Sequence, residues 1–201
     1  MPEKNIFVSH SKNDKEIIAS FDHIFARTGV KSVCMEFENM NSPHWNDIRM
    51  AINFSRATFV LLGKNIKCSI YTKNWVAFEV GISCSMDKRV WVFEQQGSPI
   101  DFPIPYVTDY MLYEDLERKE VFNYIRTIIE GTGERTYFKA VDTPSTKIPT
   151  GKNIQCPNCQ STFAFHVVEN FKFDSVNCPL CRQPIKMNKT PFSSNFSKYF
   201  G

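Results

Sequence analysis

Apolar and polar positions along the first 130 residues switch repeatedly between the strand period and the helix period. Ile6-Phe7-Val8 is a short apolar run that stops at Ser9-His10-Ser11. From Asp14 to Arg27, Ile17, Ile18, Phe21, Ile24 and Phe25 recur at helical spacing, and Gly29 ends the pattern. Ser32 to Phe37 reads as a second strand, followed by a polar loop from Glu38 to His44. A helix over Trp45 to Phe54 leads into Thr58-Phe59-Val60-Leu61-Leu62, an apolar run of the kind covered on both faces. Beyond a polar loop, Gly63 to Lys73, come a helix carrying Trp75 and Glu79 and a buried strand at Val90–Phe93. A Pro-rich connection (Pro99, Pro103, Pro105), a short strand at Tyr110–Tyr113 and an amphipathic helix from Leu116 to Glu130, stopped by Gly131, complete the series. Five strand–helix alternations predict an α/β fold with a parallel five-stranded sheet between helices.

Ligands of such sheets sit beyond the carboxyl ends of the strands. Ser9, His10, Ser11, Glu36, Glu38 and the loop before Trp75 all fall at that edge. Trp75 and Glu79 stand four residues apart, so a helix presents an aromatic plate and a carboxylate on one face. A carboxylate among Val76, Phe78, Val80 and Ile82 is costly to bury without a partner or a task. No Gly-x-Gly-x-x-Gly or Gly-Lys-Ser/Thr motif follows any strand, which excludes Rossmann and P-loop phosphate cradles.

The 201-residue length allows one ordinary domain and a small appendage, and the 42% hydrophobic and 22% charged content suits a globular chain. No apolar run reaches bilayer length, and the start Met-Pro-Glu-Lys lacks a signal-peptide core, so the expectation is a cytoplasmic protein with no membrane partner. The +3 net charge is uneven: residues 1–140 hold 17 Lys/Arg against 18 Asp/Glu, and residues 141–201 hold 7 against 3.

Cys156-Pro157-Asn158-Cys159 and Cys178-Pro179-Leu180-Cys181 form two Cys-x2-Cys pairs with the spacing of a zinc ribbon. Alternating Phe163, Phe165 and Val167 between them read as a hairpin. Fifty residues bury too little surface to fold alone, so a structural Zn2+ on Cys156, Cys159, Cys178 and Cys181 is expected to supply the stability. Four thiolates and one zinc ion would also lower the tail's charge to about +2. Cys34, Cys68 and Cys84 are scattered and expected to be buried thiols. The expected organisation is an α/β domain over 1–132, a linker over 133–152, and the zinc ribbon with a C-terminal tail over 153–201. The aromatics with Lys152, Lys172, Arg182, Lys186 and Lys189 raise nucleic acid as a partner of the ribbon; a purely structural appendage is the alternative.

Ile6-Phe7-Val8-Ser9-His10-Ser11 with Asp14, Ala51-Ile52 and Ser55 before Phe59–Leu62, and Trp75-Val76-Ala77-Phe78-Glu79 with Gly81-Ile82 together resemble the TIR (Toll/interleukin-1 receptor) domain family over residues 4–130. The resemblance is to its NAD-cleaving members, including those of microbial antiphage defence. Two departures stand out: the loop after the second strand lacks the Arg-Asp…Pro-Gly pattern of receptor-type members, and His10 stands where many relatives carry Tyr.

The resemblance implies a flavodoxin-like TIR fold and cleavage of the nicotinamide–ribose bond of NAD+. Glu79 would be the catalytic carboxylate that steadies an oxocarbenium-like ribosyl cation. Trp75 would pack against the substrate, Ser9, His10 and Ser11 would donate to phosphates or ribose, Glu36 or Glu38 would accept from ribose hydroxyls, and Trp45 would stack on a ring. The structural alternatives are His10 capping the first helix, Trp45 in the core, and Glu36 and Glu38 as solvated strand-end charges. The ADP-ribosyl group can then meet water, cyclise or be transferred. An ADP-ribose-derived signal read by a separate effector protein is the expectation, with self-association through the TIR domain. The other classes are a non-catalytic TIR scaffold and an enzyme of the nucleoside deoxyribosyltransferase type.

Overall fold

The computed structural model describes residues 5–35, 45–97, 100–132, 151–168 and 174–187. Its α/β layer runs β1 (Asn5–Ser9), α1 (Lys15–Phe25), β2 (Lys31–Val33), α2 (Trp45–Asn53), β3 (Ala57–Leu62), a 3-10 turn (Lys64–Cys68), α3 (Ile70–Ser85), β4 (Arg89–Gln95), β5 (Asp109–Tyr113) and α4 (Lys119–Gly131). Two hairpins follow: β6 (Lys152–Gln155) with β7 (Thr162–His166), and β8 (Ser175–Asn177) with β9 (Pro184–Lys186). The five strands expected from the alternation are all parallel neighbours, in the order β2-β1-β3-β4-β5. That is the flavodoxin-like order, whose switch point lies between β1 and β3.

The sheet does not stop at five strands. β7 pairs in parallel with β5, Asp109 opposite Ala164 and Met111 opposite His166, and β6 closes the edge antiparallel to β7. The sheet therefore has seven strands, and the cysteine-bearing segment supplies the last two. Such pairing covers the open edge of β5, which would otherwise present free backbone groups.

One face of the sheet packs on α1 and α4, with Phe21, Ile24, Phe59, Trp91, Phe93, Ile125 and Ile128 at its centre. The other face carries Val60, Val92 and Tyr110 against Val76 and Val80 of α3. Phe163, Phe165, Val176, Cys178 and Ile185 belong to this same apolar cluster. The hairpins thus share a core with α3 and the sheet, which answers the shortage of apolar surface in so small a module. No helix among the described residues is long and apolar enough to cross a membrane.

The loop expected over Gly63–Lys73 is shorter than its polarity suggests. A 3-10 turn fills Lys64–Cys68, and Ser69 caps α3 by accepting from the Thr72 N–H at 3.2 Å. The helix therefore begins at Ile70. Gly63 admits no side chain, because a Cβ there would overlap the Asp14 carboxyl. That carboxyl accepts from the backbone and side-chain amides of Asn65, each at 2.8 Å, tying the start of α1 to the turn after β3.

Candidate active site and metal centre

Glu79 lies in the middle of α3, 3% exposed, on the face that meets the sheet. Its Oε2 accepts from the Ser9 hydroxyl at 2.5 Å, at the carboxyl end of β1. Among the described residues no Lys, Arg or His forms an ion pair with it. Burial raises its pKa to about 8, and the Ser9 hydroxyl and Trp75 indole, which favour the charged form, offset only part of that rise. Trp75, one turn earlier on the same helix face, packs its ring 5.4 Å from that of Phe78.

In front of the carboxyl lies a cleft of about 260 Å³ beyond the carboxyl ends of β1 and β2, walled by the first half of α3. Ser9, His10 and Ser11 line it, together with Trp75 and Glu79. His10 Nδ1 is buried without a hydrogen-bond partner among the described residues, so the ring does not cap α1 through that atom. Ser11 is buried and accepts weakly from the Asn13 N–H at 3.4 Å. Trp45 does not line this cleft: it opens α2 half exposed, with the Arg49 guanidinium 5.8 Å above its ring. Nor is it core. Glu36 and Glu38 lie outside the described residues.

Lys12, Cys34, Tyr71 and Thr72 also line the cleft, and the sequence reading did not single them out. Tyr71 precedes Trp75 by four residues and Thr72 precedes Glu79 by seven, both helix-face spacings. They were hidden only because the helix was expected to start after Lys73. Cys34, Cys68 and Cys84 are exposed, contrary to the expectation of buried thiols. They follow β2, end the 3-10 turn and occupy the last turn of α3, where the core does not reach.

The four module cysteines converge, all four sulfurs lying within 4.8 Å of one another. Cys156 and Cys181 are 3.6 Å apart, and Cys159 and Cys178 are 3.8 Å apart. A tetrahedron with metal–sulfur bonds of about 2.3 Å has edges of about 3.8 Å, so the set fits a four-thiolate metal site. The two knuckles repeat one geometry. Gln160 N donates to Cys156 O at 2.9 Å, Arg182 N donates to Cys178 O at 2.8 Å, and both Gln160 and Arg182 hold φ near +60°. Hydrogen bonds from Ser161 lower the Cys159 thiol to about 6, whereas burial pushes Cys178 up to about 12; a bound cation would ionise both.

The second knuckle is bolted to the sheet. Arg182 reaches Glu94 of β4 with two bonds, Nη2 to Oε1 at 2.6 Å and Nη1 to Oε2 at 3.1 Å. Glu94 also accepts from the Tyr110 hydroxyl at 2.6 Å and the Ile100 N–H at 2.7 Å. Burial and then the neighbouring Glu94 charge push the Tyr110 hydroxyl well above its ordinary pKa. Arg182 is therefore engaged within the protein rather than offered to a nucleic acid; Lys152 and Lys186 are exposed, and Lys172 and Lys189 lie outside the described residues.

A second junction ties β7 to the α/β layer. Asp109 accepts from Arg89 Nη2 at 2.8 Å and from Thr108 Oγ1 at 2.8 Å, and lies 3.0 Å from His166 Nε2. A carboxylate can only accept, so His166 Nε2 donates to Asp109, and Nδ1 lies 2.9 Å from the Tyr124 hydroxyl. Burial alone would raise Asp109, but His166, Arg89 and Thr108 together hold it below the ordinary value.

No family model and no curated protein matches the chain. Among solved structures it is similar to the TIR domains of the activated Roq1 resistosome, which directly recognizes the pathogen effector XopQ. Sequence identity is 16% and the TM-score 0.36, over 46% of this chain and 58% of that one. The chain thus spans a little over half the length of the structure it matches.

Proposed function

We propose that this protein is a TIR-type NAD+ nucleosidase or ADP-ribosyl cyclase that cleaves the nicotinamide–ribose bond with Glu79. The observation that carries the reading is a buried carboxyl, free of any ion pair among the described residues, opening on a cleft beyond the carboxyl ends of β1 and β2 beside Trp75. Nicotinamide leaves as a neutral group, so the main demand on the protein is to stabilise positive charge growing on the ribose. A carboxylate in a low-dielectric site does this better than one in water. The cationic nicotinamide ring would itself favour ionisation of Glu79 on binding.

At about 260 Å³ the cleft suits the nicotinamide-riboside end and leaves the adenosine end outside. Lys12 and His10, which line it, would meet the diphosphate. The product is an ADP-ribose-derived signal for a separate effector protein, and the setting is antiviral defence in the cytoplasm. Self-association is supported by the large apolar side chains left exposed in and beside α2 and α3, namely Trp45, Met50, Phe54, Ile70, Tyr71 and Phe78. The metal is a structural Zn2+, held by Cys156, Cys159, Cys178 and Cys181.

Nicotinamide release from NAD+ by concentrated protein, followed by chromatography, tests the reading, and mass spectrometry of the ribosyl product separates hydrolysis from cyclisation. Wild type should release nicotinamide and Glu79→Gln should not. Equal release by the two would remove Glu79 from the chemistry, and no release by wild type would leave a non-catalytic scaffold as the better reading.

A further inference from the structure

We infer that Ser9 is a positioning residue for Glu79: its hydroxyl, fixed at the end of β1, aims the carboxyl into the cleft and does not itself meet the substrate. The inference rests on the catalytic reading of Glu79 and departs from the expectation that Ser9 donates to phosphate or ribose. A serine hydroxyl has one proton, and this one is given to Glu79 Oε2 at 2.5 Å. Ser9 is buried beside the carboxyl it meets, so that hydrogen bond is shielded from water. β1 is held between β2 and β3, which makes it a rigid mount for that hydroxyl.

A second pin acts one turn further along α3. Ser83 Oγ donates to the Glu79 carbonyl at 2.9 Å and lies 2.7 Å from Thr58 Oγ1 of β3. Ser9 and Thr58 share one face of the sheet, since Phe7 pairs with Thr58 and Ser9 with Val60. Their immediate surroundings include the apolar side chains of Val60, Val76 and Val80. Buried hydroxyls are costly unless paired, so the two pins select one rotation of α3. Only the Ser9 pin touches the carboxyl, and it favours the charged form.

The test compares Ser9→Ala with Thr58→Val, which loosens the second pin and leaves the carboxyl untouched. The other titratable groups lining the cleft are His10 and Lys12 after β1, Cys34 after β2, and Tyr71 in α3; neither substitution alters them. The readouts are the Glu79 carboxyl titration by 13C NMR and the pH profile of nicotinamide release. In Ser9→Ala the carboxyl midpoint should rise and the acidic limb should move with it. Turnover near neutral pH should fall about tenfold per pH unit moved, with KM for NAD+ little changed. Thr58→Val should lower thermal stability and leave the midpoint in place. If Ser9→Ala does not fold, Ser9→Cys, near-isosteric with a weaker donor, should move the midpoint the same way by less.

An unmoved carboxyl midpoint, with or without a raised KM, overturns the inference. A raised midpoint in a protein whose wild type releases no nicotinamide sinks only the catalytic reading.

Discussion

Glu79 and Glu94 are both buried glutamates on the same side of one sheet, yet their surroundings assign them opposite work. Glu94 is surrounded: Arg182, Tyr110 and the Ile100 amide together give its two oxygens four hydrogen bonds. Glu79 has the Ser9 hydroxyl and the Trp75 indole, an open cleft in front, and a pKa raised to about 8. A charge that is fully compensated is a structural joint. A carboxyl left short of partners at the edge of a cleft carries a standing cost, which is a frequent mark of a functional group. The contrast separates a carboxylate that joins the module to the sheet from a carboxyl that opens on a cleft.

The largest expected effect is on the joined side of this comparison. A structural metal contributes on the order of 10 kcal/mol to modules of this kind. Because the knuckles share a core with β4, β5 and α3, chelation should destabilise the α/β layer too. Trp45, Trp75 and Trp91 are the three tryptophans, all in that layer, so their fluorescence reports it selectively. A strong chelator should lower the fluorescence-detected Tm; an unchanged Tm would mean the hairpins are an independent appendage.

Next in size is the loss of turnover in Glu79→Gln, on the order of a thousandfold for removal of one preorganised electrostatic group. The same substitution should help stability. The folded-state pKa of Glu79 lies above its unfolded value of 4.5, so its contribution is fully present below pH 4.5 and lost as pH rises through about 8. Glu79→Gln should therefore melt higher than wild type at pH 9 and alike at pH 4. A variant less stable at pH 9 would show that the buried charge is better satisfied than its two contacts indicate.

Arg182→Ala should cost about 3–5 kcal/mol, because it leaves the Glu94 charge buried and unpaired. Glu94→Gln added to it should recover much of the loss, since the neutral side chain can accept from the Ile100 N–H with its carbonyl oxygen and donate to the Tyr110 hydroxyl with its amide. Denaturant unfolding of the single and double variants checks this; equal loss in both would assign the effect to packing of the arginine stem.

The smallest effect concerns Asp109. Its folded pKa is held below the ordinary value, so it stabilises above that value and the contribution is lost as pH falls through the folded pKa. Asp109→Asn should flatten the acid side of the stability profile, as measured by Tm below pH 4.

Much of the open site was legible in the sequence, because its parts are local. Trp75 and Glu79 share a helix face by spacing alone, and Ser9, His10 and Ser11 follow a strand by pattern alone. Tyr71 and Thr72 escaped notice for a local reason too: the cap at Ser69 starts the helix inside a stretch that reads as a polar loop. The joint was not legible. Arg182 meets Glu94 across 88 positions, and the β5–β7 pairing that brings them together leaves no periodic trace. One hint was available, since Glu94 directly follows the apolar run Val90-Trp91-Val92-Phe93 and a carboxylate there calls for a partner. Direction was hidden as well as distance: the Ser9 hydroxyl donates to Glu79, across 70 positions.

The most direct measurement is the pH dependence of kcat/KM for nicotinamide release from NAD+, which reports ionisations of the free enzyme. An acidic limb with its midpoint near pH 8, absent with the rest of the activity in Glu79→Gln, is the expected result. Wild-type turnover that stays level down to pH 5, or a Glu79→Gln variant that retains it, would contradict a catalytic role for the buried carboxyl.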